Sequence, residues 1–191
     1  MLESTGEKYQ PLTTQQAEYL ITAMEQSAVK APMLELTPEN WEAEFGKSGI
    51  VSTPLGEVKM GENQYSKMHA RGRAAEFGMV KPTLTSPSVI IEEASREGSV
   101  VNERCTNLLF VKTFTDSTGS KYIHFESVTI SKGKKEVAVS SHIVRPQQLL
   151  DKLKAGQVVY TATALNASGQ TFAEYSPQTE SGALSDSKGM E

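Results

Sequence analysis

The stretch GMVKPTLTSPSVIIEE, residues Gly78–Glu93, joins a basic, helix-patterned segment to a series of strands. Pro82 has no backbone N–H, and its ring disfavours helical geometry at Lys81. Lys81 and Thr83 are therefore predicted to sit on a stiff, extended connector that leads into a strand at Val89. A cation and a hydroxyl at such a junction suit an anion site, although the same residues can simply solvate a connector.

Three helices are predicted before this connector, and the first two lie near the N-terminus. Thr13, with Gln16 three residues later, forms a capping box, and an apolar stripe at helical spacing continues to about Lys30. This first helix either packs on the core or ends a linker. A second helix is predicted to begin at Thr37–Pro38, with Trp41 as a core anchor.

A third helix is predicted over Glu62–Phe77, with Gly78 as its C-terminal cap and Gly72 as a costly position inside it. Its residues Gln64, Lys67 and Arg71 share one face, while Tyr65, His69 and Arg73 share the next. This helix is the main source of positive charge before the connector.

The segment after the connector predicts an antiparallel meander, because short β-rich runs alternate with hairpin-like turns. The predicted strands are Val89–Glu92, Asn107–Thr115, Tyr122–Ser131 and Glu136–Ile143. A short helix at Leu149–Lys154 and an edge strand at Val158–Tyr160 follow. Helices followed by an antiparallel sheet of about four strands indicate an α+β fold.

The composition is that of an ordinary globular chain of 191 residues, with 38% hydrophobic and 22% charged residues. Residues 50–155 carry 15 Lys and Arg against 11 Asp and Glu, whereas the ends are acidic. A basic middle is compatible with a polyanionic partner. A single cysteine, Cys105, and three scattered histidines give no disulfide and no metal-ligand spacing.

Three regions follow from these patterns: an N-terminal helix or linker at 1–35, an α+β domain at 36–160, and a disordered tail at 161–191. Residues 1–12 are predicted to be unstructured and Ala94–Thr106 to form a mobile polar loop. The N-terminus has no signal-peptide pattern, and no apolar run is long enough to span a membrane.

Strand alternation places Lys112 on the face of Leu108 and Phe110, which is unusual for a lysine unless it lines a cleft. If the third helix and the sheet share one groove, cations and hydroxyls dominate its predicted polar lining. That lining comprises Arg73, Lys81, Thr83, Lys112, Ser140, His142 and Arg145.

Such a lining suits metal-independent cleavage of RNA, because cations and hydroxyl donors stabilise the charge that develops on phosphorus. The 2′-OH of the substrate can act as the nucleophile, so the protein supplies a base, an acid and a phosphate clamp. Either His142 or His69 could move the proton. Arg73 could alternatively be occupied by Glu76, and His124 beside Glu126 is predicted to be solvated.

The segment Leu36–Tyr160 resembles the phage branch of the barnase–EndoU–colicin–RelE-like nuclease superfamily, found at the ends of phage polyvalent and head-morphogenesis proteins. The resemblance rests on LTPENWEAEFG (Leu36–Gly46), STPLGEVKMGENQYSK (Ser52–Lys67), RGR (Arg71–Arg73), GMVKPTL (Gly78–Leu84), SPSVIIEE (Ser86–Glu93), FVKTF (Phe110–Phe114), HFESVTISK (His124–Lys132) and EVAVSSHIVRP (Glu136–Pro146). It implies a barnase- or RelE-like fold and a metal-independent endoribonuclease that uses no cofactor.

On this reading Arg73 and Lys112 clamp phosphate, Lys81 and Thr83 position it, and His142 or His69 transfers the proton. Further substrate contacts are expected from Lys67, Arg71, Ser127, Ser140 and Arg145.

The resemblance implies a phage or prophage toxin that acts on RNA in the bacterial cytoplasm or is associated with the virion. An immunity or antitoxin protein and larger phage proteins are the partners it implies. Two alternatives stay open: a non-catalytic module that binds nucleic acid or protein for packaging, and a purely structural capsid domain.

Overall fold

The computed structural model describes residues 12–93, 105–131 and 137–162, with the backbone alone for 105–106, 130–131 and 137–140. The helices are α1 (Thr14–Gln26), α2 (Pro38–Phe45), α3 (Glu62–Ala70), α4 (Phe77–Thr85) and α5 (Pro146–Ala155), with a 3-10 turn at Ala74–Glu76. The strands are β1 (Val29–Lys30), β2 (Ile50–Thr53), β3 (Gly56–Lys59), β4 (Val89–Glu93), β5 (Cys105–Thr115), β6 (Lys121–Ser131), β7 (Val137–Val144) and β8 (Gln157–Thr161).

The main sheet has the strand order β7-β6-β5-β4-β8, and all of these neighbours are antiparallel. The short β1 adds a parallel pairing to the end of β5, and β2 pairs with β3 in a separate hairpin. The predicted α+β class and the β5–β6–β7 meander are confirmed. The described sheet has six strands: the four predicted strands β4 to β7, the edge strand β8, which was predicted at Val158–Tyr160, and β1, which was not predicted.

Both faces of the sheet are covered by helices. One face packs against α2, α3, α4 and the β2–β3 hairpin in a core that contains Trp41, Phe77 and Phe110. The other face packs against α1 and α5 in a core that contains Leu20 and Leu149. Of the two interpretations of the N-terminal helix, the structure shows the one in which it packs on the core.

Trp41 is the predicted core anchor and is buried in the first of these cores. Its ring stacks on Phe77 with centroids 5.5 Å apart and meets Phe45 edge-on at 4.7 Å. Its indole N–H donates to the Met60 carbonyl at 2.9 Å, so the polar atom of the buried ring is satisfied. The ring therefore ties α2 to α4 and to the strand that precedes α3.

The prediction of an extended connector at Lys81–Pro82 is wrong, because both residues lie inside α4. A proline inside a helix costs about 3 kcal/mol. In α4 that cost is offset by tertiary packing, since Phe77, Val80 and Leu84 are completely buried. Local backbone preference is overridden by burial of the helix face.

The prediction of one continuous helix over Glu62–Phe77 is also wrong. Helix α3 ends at Ala70, and Gly72 follows with a φ of 66° in the left-handed region that glycine adopts without strain. The chain then turns through the 3-10 segment Ala74–Glu76 into α4. Gly72 is therefore a helix terminator, and the break sets Arg73 at the corner between two helices.

Several predictions fall on residues that the structure does not describe. These are most of the unstructured start predicted over residues 1–12, most of the loop predicted over Ala94–Thr106, the turn after β6, and the tail predicted over 161–191 from residue 163 onward. At the described ends of these stretches, Leu12 is buried in the second core, Cys105 and Thr106 belong to β5, and Thr161 belongs to β8.

Replacing Gly78 by alanine is expected to destabilise the fold. Gly78 lies within α4 rather than capping a helix, and a Cβ atom there would stand 2.0 Å from the Pro32 carbonyl oxygen. Helix propensity alone favours alanine by about 1 kcal/mol. The clash of the new Cβ with the Pro32 backbone should outweigh this stabilising effect, so the free energy of unfolding should fall by about 1–3 kcal/mol.

Urea unfolding measures this change, with Ser66→Ala on the exposed side of α3 as the control. Unchanged or increased stability of Gly78→Ala would show that α4 does not approach Pro32 this closely.

Candidate functional site

A small cleft, open to solvent, lies between α3 and β7 and encloses about 300 Å³ including its open mouth. The break after α3 and the edge position of β7 leave this gap at one side of the sheet. The residues that line the cleft are Met60, Gln64, Lys67, Met68, Arg71, Arg73 and Ser141. Its described lining therefore combines three cations and two methionines with an amide and a hydroxyl.

The three cations are close enough to influence one another. Burial lowers the pKa of the Lys67 ammonium below its ordinary value, and the positive charges of Arg71 and Arg73 lower it further. Concentrating like charges in a partly desolvated cleft is unfavourable by itself and becomes favourable when an anion enters. The cleft has the electrostatic character of an anion site.

Arg73 connects the cleft to His142 on the edge strand. Its Nη1 atom lies 3.2 Å from His142 Nδ1 and 3.9 Å from Glu76 Oε2. A guanidinium can only donate, so His142 Nδ1 must be the acceptor in this contact. The neutral imidazole consequently carries its proton on Nε2.

The environment of His142 favours this neutral form. The ring is half-buried, and burial is the largest cause that lowers the pKa of His142, followed by the positive charge of Arg73. A neutral histidine beside a cationic cleft is equipped to accept a proton.

A chain of buried polar side chains begins behind Arg73 and returns to the cleft at Ser141. Glu76 Oε1 lies 3.5 Å from His124 Nδ1, and His124 Nε2 lies 2.6 Å from Glu126 Oε1. The Ser141 hydroxyl donates to the same Glu126 oxygen at 2.7 Å. His124 and Glu126 have no exposed surface.

Burial raises the pKa of Glu126, against the opposing effect of its contacts with His124 and Ser141. The weakest link of the chain is the 3.5 Å gap between Glu76 and His124, because the two facing atoms form no hydrogen bond within the described residues. This series of polar side chains is therefore hydrogen-bonded at Ser141 but not between His124 and Glu76, the neighbour of Arg73.

The structure brings together four of the predicted site residues. Lys67, Arg71 and Arg73 line the cleft, and His142 adjoins it through Arg73. The suspected pairing of Arg73 with Glu76 also exists, at 3.9 Å.

Two predicted residues on α4 are not in the cleft. Thr83 is completely buried, and its hydroxyl donates to the Met79 carbonyl one helical turn earlier. Lys81 is half-buried on the same helix and does not line the cleft. The expected anion site at the helix-to-sheet junction was wrong, because the supposed connector is itself helix.

Lys112 and His69 are also placed elsewhere. The Lys112 ammonium donates to the Ser86 carbonyl at 2.6 Å, where it caps the end of α4, and burial lowers its pKa. His69 is exposed near the end of α3, with its ring centroid 6.2 Å from that of Tyr65. Neither residue lines the cleft.

Two further predicted substrate contacts, Ser127 and Arg145, lie outside the described cleft lining. Ser127 donates to Asn107 at 3.1 Å, beside the neighbouring Thr129, on the sheet face covered by α1 and α5. Arg145 is exposed at the start of α5. The side chain of Ser140 is not among those described, although its backbone belongs to β7.

Sequence reasoning missed the buried chain. His124 was predicted to be solvated, but His124 and Glu126 are both fully buried, since β6 lies between β5 and β7 under α4. The available signal was alternation: both residues share a face with Val128, which belongs to the first core.

Comparisons of the chain with protein-family models, curated proteins and solved structures found no match. Within the described ranges, each helix is too short or too polar to cross a lipid bilayer.

Replacing Arg73 by glutamine is expected to raise the pKa of His142, because the guanidinium charge that disfavours a second cation is removed. The pKa of His142 is measured from the pH dependence of its imidazole ¹⁵N chemical shifts in an NMR titration. Arg145→Gln is the matched control. An unchanged titration would show that Arg73 does not sit beside His142.

The lowered pKa has a defined effect on stability. The unfolded chain binds a proton at this histidine more tightly than the folded chain, so the contribution of His142 to stability falls as the pH drops below about 6.5. This part of the acid sensitivity should shrink in Arg73→Gln.

Proposed function

We propose that this protein is a metal-independent endoribonuclease-like domain of phage or prophage origin. It would cleave RNA by attack of the substrate's own 2′-OH on the adjacent phosphodiester. The proposal is supported by the chemistry of the cleft and by the resemblance of Leu36–Tyr160 to the phage nuclease branch.

The observation that carries the proposal is the contact between Arg73 and His142 at the edge of a cleft with three cations. Phosphate binding needs fixed positive charge, and cyclisation of RNA needs a neutral base within reach of the same phosphate. Arg73 contributes to both needs, since it can bind phosphate and its charge, after burial, lowers the pKa of His142.

In the proposed reaction Arg71 and Arg73 bind the non-bridging phosphate oxygens. When Arg73 turns toward phosphate, it releases His142 Nδ1, which accepts the proton of the 2′-OH. The 2′-oxygen bonds to phosphorus as the bond to the 5′-oxygen breaks. Lys67, whose lowered pKa makes its ammonium a better acid, donates a proton to the departing 5′-oxygen.

The products would be a 2′,3′-cyclic phosphate and a free 5′-OH. RNA is therefore the proposed partner, in the bacterial cytoplasm or after delivery with a virion. An immunity or antitoxin protein that covers the cleft, and attachment to a larger phage protein, belong to the same proposal.

Purified protein is expected to cleave a mixed-sequence RNA in the presence of EDTA and to leave cyclic-phosphate ends, detected by mass spectrometry. His142→Ala should reduce the rate about 10²–10⁴-fold through loss of the base. Arg73→Gln should produce a loss of about 10²-fold or more, because charge stabilisation at phosphorus is removed.

Lys81→Gln and Arg145→Gln are the controls, since both remove a cation outside the cleft lining and should retain activity. Intact RNA at every protein concentration tried would overturn the catalytic proposal. If the wild-type protein then binds RNA and Arg73→Gln does not, the cleft belongs to a non-catalytic binding module.

A further inference from the structure

The buried chain of Glu76, His124 and Glu126 contacts a cleft-lining residue at each of its ends. Arg73 lies next to Glu76 at one end, Ser141 is bonded to Glu126 at the other, and Arg73 and Ser141 both line the cleft. His124 spans the middle, between the two carboxylates. A ligand in the cleft would therefore meet residues in contact with both ends of one buried polar chain.

Stability alone is a weak explanation for such a chain. Removing ionisable groups from water costs several kcal/mol per ion, and well-packed apolar residues of similar volume are often as stable or more so. The chain lies beside large apolar side chains, including Phe114, whose ring centroid is 6.2 Å from that of His124.

We infer that Glu76, His124 and Glu126 are positioning residues for the cleft. Glu76 holds the Arg73 guanidinium toward phosphate, and Glu126 fixes the direction of the Ser141 hydroxyl. His124 lies between the two carboxylates, with Nε2 2.6 Å from Glu126 and Nδ1 3.5 Å from Glu76. This inference rests on the proposed phosphate-binding function and extends it to residues that do not touch the ligand.

The replacement Glu76→Gln separates positioning from simple electrostatics, because the two predict opposite signs. Removing a negative charge beside Arg73 should, by charge alone, tighten the binding of an anion. If Glu76 positions Arg73, the same replacement should weaken binding about two- to fivefold, because the 3.9 Å ion pair that orients the guanidinium is lost.

Binding is measured by fluorescence anisotropy with a short 2′-O-methyl RNA, which cannot undergo 2′-OH attack. Glu18→Gln is the control, because Glu18 is exposed on α1, which packs on the other face of the sheet. Glu76→Asp adds a second variant that keeps the charge but shortens its reach, and it should also weaken binding.

The pKa of His142 can be measured on the ligand-free protein and gives a second test of the positioning role. Loss of a nearby carboxylate should lower this pKa by charge alone, whereas departure of Arg73 should raise it. A rise in Glu76→Gln is expected. If the glutamine variant does not fold, the same titration on Glu76→Asp decides, with a rise again expected.

Equal or tighter binding by Glu76→Gln, or a His142 pKa that stays constant or falls, overturns the positioning role. If wild-type protein binds no RNA but the His142 pKa rises in the variant, Glu76 positions Arg73 while the proposed function fails.

Discussion

The central constraint on this structure is a sheet covered by helices on both faces. The strand β6 has β5 and β7 as neighbours and a core on either side, so the side chains in its middle, Ile123–Glu126, have almost no access to water. Apolar residues such as Phe125 and Val128 gain from this burial. His124 and Glu126 do not, because each must replace its water with protein partners.

The hydrogen-bonding needs of His124 and Glu126 connect the interior to the cleft. His124 and Glu126 contact each other through His124 Nε2 and Glu126 Oε1. The other ring nitrogen of His124 faces Glu76, and Glu126 also accepts a hydrogen bond from Ser141. Ser141 lines the cleft and Glu76 pairs with Arg73, which also lines it. The charges of the buried residues and of the cleft residues therefore act on one another. Low local dielectric strengthens these interactions and makes an unpaired polar group costly.

Much of the fold could be predicted from sequence. The Thr13–Gln16 capping box, the Thr37 cap and the β5–β6–β7 meander are local patterns, and the structure confirms them. The failures came where burial overrides local preference. Pro82 was expected to exclude helix, yet α4 contains it, because the apolar face of that helix is buried.

The candidate site was predictable only in part. Lys67, Arg71 and Arg73 were identifiable because helical spacing and closeness in sequence keep them near one another. Lys112 was predicted to line the cleft, but its ammonium donates to the Ser86 carbonyl at the end of α4. The sequence did not indicate that a helix ends there. Ser141 was overlooked in favour of its neighbours, because the register of an edge strand decides which alternate residue faces inward.

The sequence by itself determined the α+β class, most element positions and the basic character of the segment around Arg73, since these depend on local spacing and composition. Tertiary structure alone decided that α4 and the core around Trp41 cover the sheet face on which His124 and Glu126 lie, and so buried both residues. The physical reason is that burial and partner geometry depend on contacts between residues far apart in the chain.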